Sequence, residues 1–383
     1  MGAHGGKPDF VKISTSSLQS TIDAISEALV ETPNSNVSPS AAYLNGKIFI
    51  FTSNTNDGKV SAYDIKTDTL EILPYSAQIL LFYDGAAVTW NGAIYLLSSS
   101  YSDYKGKVYK YDETSNTATF VGNMSVATYM FQYALYGSVV YMLGGYDVYA
   151  IQAYDLETNV ATTVGSMDES MYGGAGALVN GVIYVLGWMK KRLGQGTASI
   201  FAYDITTNVF TTTPQILSKT TYWNSAAAVN NKVYSFGGTN GRSGTDAYYN
   251  TITEYDPLTG VVSVKDSVLP NKIVRSTAVE VDGTVYIIGS GSATGDSGKN
   301  IYIYTPKAPL LNNRLKLFAT NYANKSTQPV TSIVSTKDAL IDLFFSSAYI
   351  GDVQGYAKNS WRMYMTMFSK AGSLLMGCHI QLN

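Results

Sequence analysis

Ala177-Leu178-Val179-Asn180-Gly181-Val182-Ile183-Tyr184-Val185-Leu186, followed further on by Tyr203-Asp204, is the stretch that decides the fold. An apolar run, an Asn-Gly pair and a second apolar run spell a two-residue hairpin. A type I′ turn needs positive φ at both central positions, and Asn and Gly adopt it with least strain. Near-continuous apolar runs belong to strands covered on both faces. The same paragraph recurs six times. Its turn pairs read Asn45-Gly46, Asn91-Gly92, Tyr136-Gly137, Asn180-Gly181, Asn230-Asn231 and Asp282-Gly283. Its later markers read Tyr63-Asp64, Tyr111-Asp112, Tyr154-Asp155, Tyr203-Asp204, Tyr255-Asp256 and the degraded Tyr304-Thr305. Successive turns lie 46, 45, 44, 50 and 52 residues apart. Such a period without a helical pattern predicts a β-propeller, whose four-stranded blades bury their faces only against one another.

Each Tyr-Asp is followed by a polar turn, as in Asp155-Leu156-Glu157-Thr158-Asn159, and then by a Thr- and Val-rich fourth strand. An Asp recurring at one repeat position is expected to hydrogen-bond that turn rather than to do chemistry. These features resemble the kelch family, whose repeats carry a hydrophobic hairpin, a Gly-Gly pair, a Tyr-Asp strand and a polar turn. The resemblance spans about residues 40 to 306. Gly144-Gly145 and Gly237-Gly238 match the diglycine, whereas Thr52-Ser53, Ser98-Ser99, Gly187-Trp188 and Gly289-Ser290 depart from it. The Trp usual in the family's fourth strand is missing, with Leu70, Phe120 and Phe210 near its place. The expectation is an all-β, six-bladed kelch-like propeller over 40–307, flanked by an N-terminal segment 1–39 and a C-terminal attachment module 308–383 that contains β structure.

The sixth repeat runs into Pro306-Lys307-Ala308-Pro309 after three strands, so its fourth strand must come from elsewhere if the ring is closed. Asp9–Ile13 and Ala28–Thr32 are both candidate donors, joining the chain ends and removing exposed edges. Between them Leu18, Ile22, Ile25 and Leu29 fall on one helical face behind the cap-like Ser16-Ser17, which predicts a short amphipathic helix over Ser16–Leu29. Such a helix packs on the rest of the protein or serves in docking or trimerisation, so a homo-oligomer stays open.

Composition narrows the partners. The chain of 383 residues is 45% hydrophobic but only 14% charged, with a net charge of −2, which argues against a broad electrostatic grip on nucleic acid or anionic lipid. Its 31 Tyr suit blade packing and also sugar or protein recognition, because each ring is apolar with a polar tip. Cys378 is the only cysteine, so there is no internal disulfide framework. No apolar run is long enough to span a membrane as a helix. Met1–Gly6 lacks the apolar core of a signal peptide and the Ser or Thr of a myristoylation signal. The expectation is assembly in a host cytoplasm into a particle released by lysis.

Catalysis has little to stand on. His4 and His379 lie outside the repeats, and the ring has neither His nor Cys, which removes the ligands of a kelch-type copper oxidase, a Ser-His-Asp or Cys-His system and the usual zinc sites. A carboxylate pair for glycoside hydrolysis cannot be read from sequence. Gly289-Ser290-Gly291-Ser292 and Gly237-Gly238-Thr239-Asn240 are not phosphate cradles, since no helix or Gly-Lys-Ser/Thr follows them. A non-enzyme without cofactor or metal is expected.

Recognition is the remaining function. Alternate connections of an up-and-down blade leave on opposite faces, so the Asn-Gly and Tyr-Asp turns share one face and the variable loops the other. Binding residues concentrate on variable loops of a rigid scaffold, with aromatics and Arg as hot spots. The candidates are Tyr101, Tyr104, Tyr146, Trp188, Arg192, Trp223, Arg242 and Tyr248, with Trp188 and Trp223 alternatively capping the channel. Near the C-terminus, Ala348-Tyr349-Ile350-Gly351-Asp352-Val353-Gln354-Gly355-Tyr356-Ala357-Lys358 reads as a hairpin. It is similar to a motif of tail and baseplate proteins in phages and phage-like particles of Gram-positive bacteria. That resemblance implies a structural or receptor-binding tail component whose partners are other tail or baseplate proteins and a host-surface glycan or protein. The rival readings are a bacterial kelch protein acting on sialic acid or another sugar, and an intracellular protein-interaction scaffold.

Overall fold

A computed structural model describes residues 23–28, 30–32, 38–51, 60–73, 85–97, 106–190, 195–241, 248–289 and 298–306, and four strands between 316 and 381. Asp23–Pro306 forms one compact unit, a six-bladed propeller of antiparallel sheets. Blade one shows the plan: Ser40–Leu44 innermost, then Lys47–Phe51, Val60–Asp64 and the outer Thr69–Leu73. The innermost strands of blades two to six are Ala86–Trp90, Gln132–Tyr136, Ala175–Val179, Ser225–Val229 and Thr277–Val281. Blades converge toward the axis, and these strands are accordingly rich in Ala, while the fully buried aromatics lie further out.

Six hydrophobic clusters fill the interfaces between neighbouring blades. The one that closes the ring packs Val279, Tyr286 and Ile288 of blade six against Ala41, Ile48, Ile50 and Tyr63 of blade one. Blade six takes its outer strand from the N-terminus, as the missing fourth strand requires. The donor is Ala24–Glu27, paired antiparallel with Ile301–Thr305 in the register Ala24 to Thr305 and Glu27 to Tyr302. Of the two expected donors, Asp9–Ile13 lies outside the described residues. Ala28–Thr32 only prolongs the observed strand, through Ala28 N–H to Ile301 O (3.0 Å) and Thr32 N–H to Lys299 O (2.9 Å). The expected helix is corrected over Ala24–Glu27, because pairing with blade six satisfies backbone groups that its open edge would expose; residues before Asp23 lie outside the described residues.

Two side-chain devices repeat at the third-to-fourth turn. The Asp of each Tyr-Asp accepts two backbone N–H groups: Asp64 from Lys66 and Thr67, Asp112 from Thr114 and Ser115, Asp155 from Glu157 and Thr158, Asp204 from Thr206 and Thr207, and Asp256 from Leu258 and Thr259. These are the turn caps that the sequence predicts. The buried Tyr then donates its hydroxyl to the residue just before the outer strand: Tyr63 to Asp68 (3.0 Å), Tyr111 to Asn116 (2.9 Å), Tyr154 to Asn159 (3.3 Å) and Tyr203 to Asn208 (2.7 Å). Those acceptors have φ between 50° and 58°, a conformation that Asn and Asp tolerate. Burial first, helped by neighbouring acidic or phenolic groups, pushes the hydroxyls up, to about 12 in Tyr154 and Tyr203.

Blade six explains its own irregular sequence. Asp23 immediately precedes the donated strand, and its carboxylate accepts the Tyr304 hydroxyl at 2.8 Å, the part played by Asp68 in blade one and by Asn in blades two to four. Lys265 of blade five joins Asp23 (3.2 Å) to Glu254 (3.0 Å), fastening the arriving strand to its neighbour. No turn follows Tyr304 within the sheet, so no Asp is needed to cap it, and Thr305 stands there instead.

The hairpins are type I′ at Asn45-Gly46, Asn91-Gly92, Asn180-Gly181, Asn230-Asn231 and Asp282-Gly283, all with positive φ. Blade three differs by one residue. Tyr136 pairs with Val139, so the turn is Gly137-Ser138, with positive φ at Gly137 alone, the signature of type II′.

A separate antiparallel sheet of order Ser326–Pro329, Lys316–Asn321, Leu374–Gln381, Arg362–Phe368 makes up the described part of the C-terminal region. Ala348–Lys358 lies outside the described residues.

Candidate functional site

The channel along the propeller axis is interrupted. The second residue of each innermost strand is Ala41, Ala87, Tyr133, Gly176, Ala226 or Ala278, so a single large side chain meets five small ones. The Tyr133 hydroxyl reaches the Ala87 backbone of blade two and the Thr277 side chain of blade six. It floors a cavity of about 220 Å³ that opens on the loop face, walled by Trp223, Arg275, Gln132, Asn224 and Ser276 among others. A second recess, about 330 Å³, lies at the turn face beside Leu178, Asn180, Asn230 and Glu280.

Polar stitches tie the blades at the loop-face mouth. Ser40 Oγ donates to Gly85 O (2.9 Å), Ser225 and Ser276 share a hydroxyl bond (2.9 Å), Asn224 Nδ2 donates to Leu186 O (2.9 Å), and Gln132 Nε2 donates to Gly174 O. Beneath them runs a backbone relay built from the residue two places before each innermost strand. Gly173 N–H donates to Met130 O (3.0 Å), Trp223 N–H to Gly173 O, Arg275 N–H to Trp223 O (2.8 Å) and Ser38 N–H to Arg275 O (2.8 Å). Every member is left-handed: Ser38 φ 54°, Met130 φ 59°, Gly173 φ 64°, Trp223 φ 53° and Arg275 φ 55°. That conformation costs a side-chain-bearing residue about 1 to 2 kcal/mol. The equivalent residue of blade two, Asp84, lies outside the described residues.

Around this relay stands an aromatic rim over blades three to five. Tyr146 stacks on Tyr129 (5.1 Å, 23°) and meets Tyr172 edge-on (5.1 Å, 62°). Tyr222 packs on Trp223 at 4.7 Å, and the Arg275 guanidinium lies 3.7 Å over the Trp223 ring. The Tyr222 hydroxyl is pushed up, first by burial and then by Tyr172, with Tyr248 adding to the rise and Arg275 opposing it, which places these groups together.

Of the candidates read from sequence, Tyr146, Trp223 and Tyr248 belong to this rim and are partly exposed. Trp188 does not. It is 0% exposed, packed against Phe201 and Phe210, and is therefore a core residue of blade four rather than a surface anchor. Tyr101, Tyr104, Arg192 and Arg242 lie outside the described residues. Sequence reasoning passed over Arg275, Met130, Tyr133, Tyr172 and Tyr222. The signal available for the first two was a fixed offset of two residues before each Ala- or Ser-rich strand.

Residues 170–215, which hold all four strands of blade four's main sheet except the end of the outer one, match the kelch motif. No curated protein matches the chain. The fold is thus a six-bladed propeller carrying a kelch motif.

Proposed function

We propose that this protein is a non-catalytic recognition module that binds a partner through its loop face while its chain ends hold it in place. One observation supports the reading: the chain ends and the aromatic rim lie at opposite faces of the ring. Ala24 enters opposite Thr305, so both chain ends leave blade six at the face of the Asn-Gly and Tyr-Asp turns. The aromatic rim lies at the other face. An anchor acting on the chain ends leaves Tyr146, Trp223, Tyr248 and Arg275 directed outward, and aromatic residues with Arg are the usual material of binding hot spots.

The finer form of the proposal takes the anchor to be a phage or phage-like tail particle of a Gram-positive host and the partner to be a host-surface glycan or protein. Its support is the motif at Ala348–Lys358. The test compares labelled full-length protein with a Tyr146→Ala/Tyr248→Ala variant for binding to purified Gram-positive cell walls. Loss of binding at unchanged melting temperature is expected. Full binding by the variant overturns the loop-face reading.

A further inference from the structure

Left-handed backbone occurs at the tight turns, at loop-face glycines such as Gly144-Gly145 and Gly237-Gly238, and in the relay, and the residues filling these places differ. In the hairpin turns it is held by Asn, Asp or Gly in every repeat, and before the outer strands by Asp68, Asn116, Asn159, Asn208 and Gly260. These residue types relieve strain. Among the described members of the relay at the channel mouth the same φ is held by Ser38, Met130, Trp223 and Arg275, with Gly173 the one relaxed member. The backbone is the same from blade to blade and the side chains are all different. A relay needed only for architecture would carry Gly or Asn, as the turns do. Strain retained at a recess points to use of the side chains.

We infer that the relay residues are the selectors of a ligand that enters the 220 Å³ mouth, and that Arg275 stacked on Trp223 receives an oxyanion of that ligand, a carboxylate or a phosphate. The inference rests on the loop-face reading above. Arg275 is the only charged side chain among the described residues that line the cavity. A guanidinium is planar, and its fork of N–H groups matches carboxylate and phosphate oxygens. Ser276, Thr277 and Gln132 supply hydroxyl and amide groups beside it, and Met130 and Trp223 supply apolar wall. Tyr133 beneath limits the depth, so the bound group is the end of a ligand and not a chain threaded through the ring.

Calorimetric titration of the full-length protein with glucuronate, inorganic phosphate and glucose tests this. Binding of glucuronate without phosphate identifies a carboxylate, and the converse a phosphate; either supports the inference, whereas glucose binding as well as the acids overturns it. Arg275→Gln should lower affinity for the acidic probe at least about tenfold. Trp223→Gly should remove binding; Gly enters the left-handed region freely and so offsets part of the lost ring packing, and a retained cooperative melt shows that the ring still folds. No binding by either acid, or unchanged affinity in Arg275→Gln, sinks the proposal. If cell-wall binding depends on Tyr146 and Tyr248 while neither acid binds, the oxyanion site falls and the loop-face reading stands. If the Tyr variant binds walls normally while the acids bind in an Arg275-dependent way, the reverse holds.

Discussion

The turn face and the loop face of this propeller share one backbone plan and use it oppositely. At the turn face each structural position repeats its residue: Asn or Asp then Gly in most hairpins, Asp capping the next turn, and Asn or Asp receiving the Tyr hydroxyl. At the loop-face mouth the relay repeats its hydrogen bonds and φ values but fills them with Ser, Met, Gly, Trp and Arg. Repetition of residue marks what closes the ring. Repetition of backbone under changing residues marks, in the proposed reading, what the ring presents.

Blade six is where that division is easiest to break. Deleting Met1–Thr32 removes the outer strand, the Asp23 acceptor of Tyr304 and the apolar contributions of Ile25, Ala28 and Val30 to the flanking clusters. It also exposes an unpaired edge on Ile301–Thr305. This change should have the largest effect, loss of a cooperative thermal transition or a fall of many degrees in melting temperature. An unchanged melt would mean that five complete blades and a three-stranded sixth suffice.

Glycines at the two faces give the next largest contrast. At Gly145 φ is 115°, and an added Cβ would lie 1.9 Å from Thr128 Oγ1 and 2.7 Å from the Tyr129 carbonyl oxygen. Gly145→Ala should cost about 3 kcal/mol or more, from backbone strain and overpacking together. At Gly46 φ is 85° and nothing lies within 4 Å of the added Cβ. Gly46→Ala should cost only about 1 to 2 kcal/mol. Denaturant unfolding of both variants measures the difference, and equal costs would refute the close approach at Gly145.

How much of this was legible follows from which interactions are local. The hairpins and Asp caps span two to three residues, so Asn180-Gly181 and Asp155 declare themselves in any one repeat. The blade-three turn slipped because Tyr136-Gly137-Ser138 offers Gly either place, and only pairing of Tyr136 with Val139 decides between them. The donated strand resembles a helix in sequence because Ile22, Ile25 and Leu29 also satisfy a helical period; what settles it is an edge nearly 280 residues away. Asp23 is the clue in the sequence, since it fills the position that Asn or Asp fills before the outer strands of blades one to four. Trp188 is not legible as a core residue because its apparent loop position gives no hint of the Phe201 and Phe210 rings that bury it. The relay was invisible because its residues have nothing in common but their offset.

A smaller effect separates the buried partner from the turn that holds it. Asn116→Ala leaves the fully buried Tyr111 hydroxyl without its side-chain acceptor, and should cost about 1 to 3 kcal/mol. Tyr111→Phe removes the donor instead but keeps Asn at the left-handed φ of 50°, and should cost about 1 kcal/mol. If urea unfolding ranks the two the other way, the Tyr hydroxyl is not what the turn-face Asn is retained for.

The smallest expected effect is on the turn caps in acid, and its sign is fixed by the direction of the shifts. Backbone N–H groups of Thr67, Thr114 and Glu157 are the leading cause holding the carboxyls of Asp64, Asp112 and Asp155 below the usual carboxylate range. A group whose folded value is depressed stabilises the folded state above its unfolded value, about pH 4, and that contribution fades as pH falls through the folded value. The carboxylates are solvent-exposed, so each effect is slight, and it is repetition around the ring that makes the sum measurable. Melting temperatures should therefore be level between neutral pH and about pH 5 and then decline below about pH 4. Asn can accept the same two N–H groups without titrating. An Asp64→Asn/Asp112→Asn/Asp155→Asn variant should start slightly less stable at neutral pH and decline less steeply in acid. If the triple variant falls as steeply as the parent, acid acts elsewhere, and the Asp23–Lys265–Glu254 fastening of the donated strand becomes the place to look.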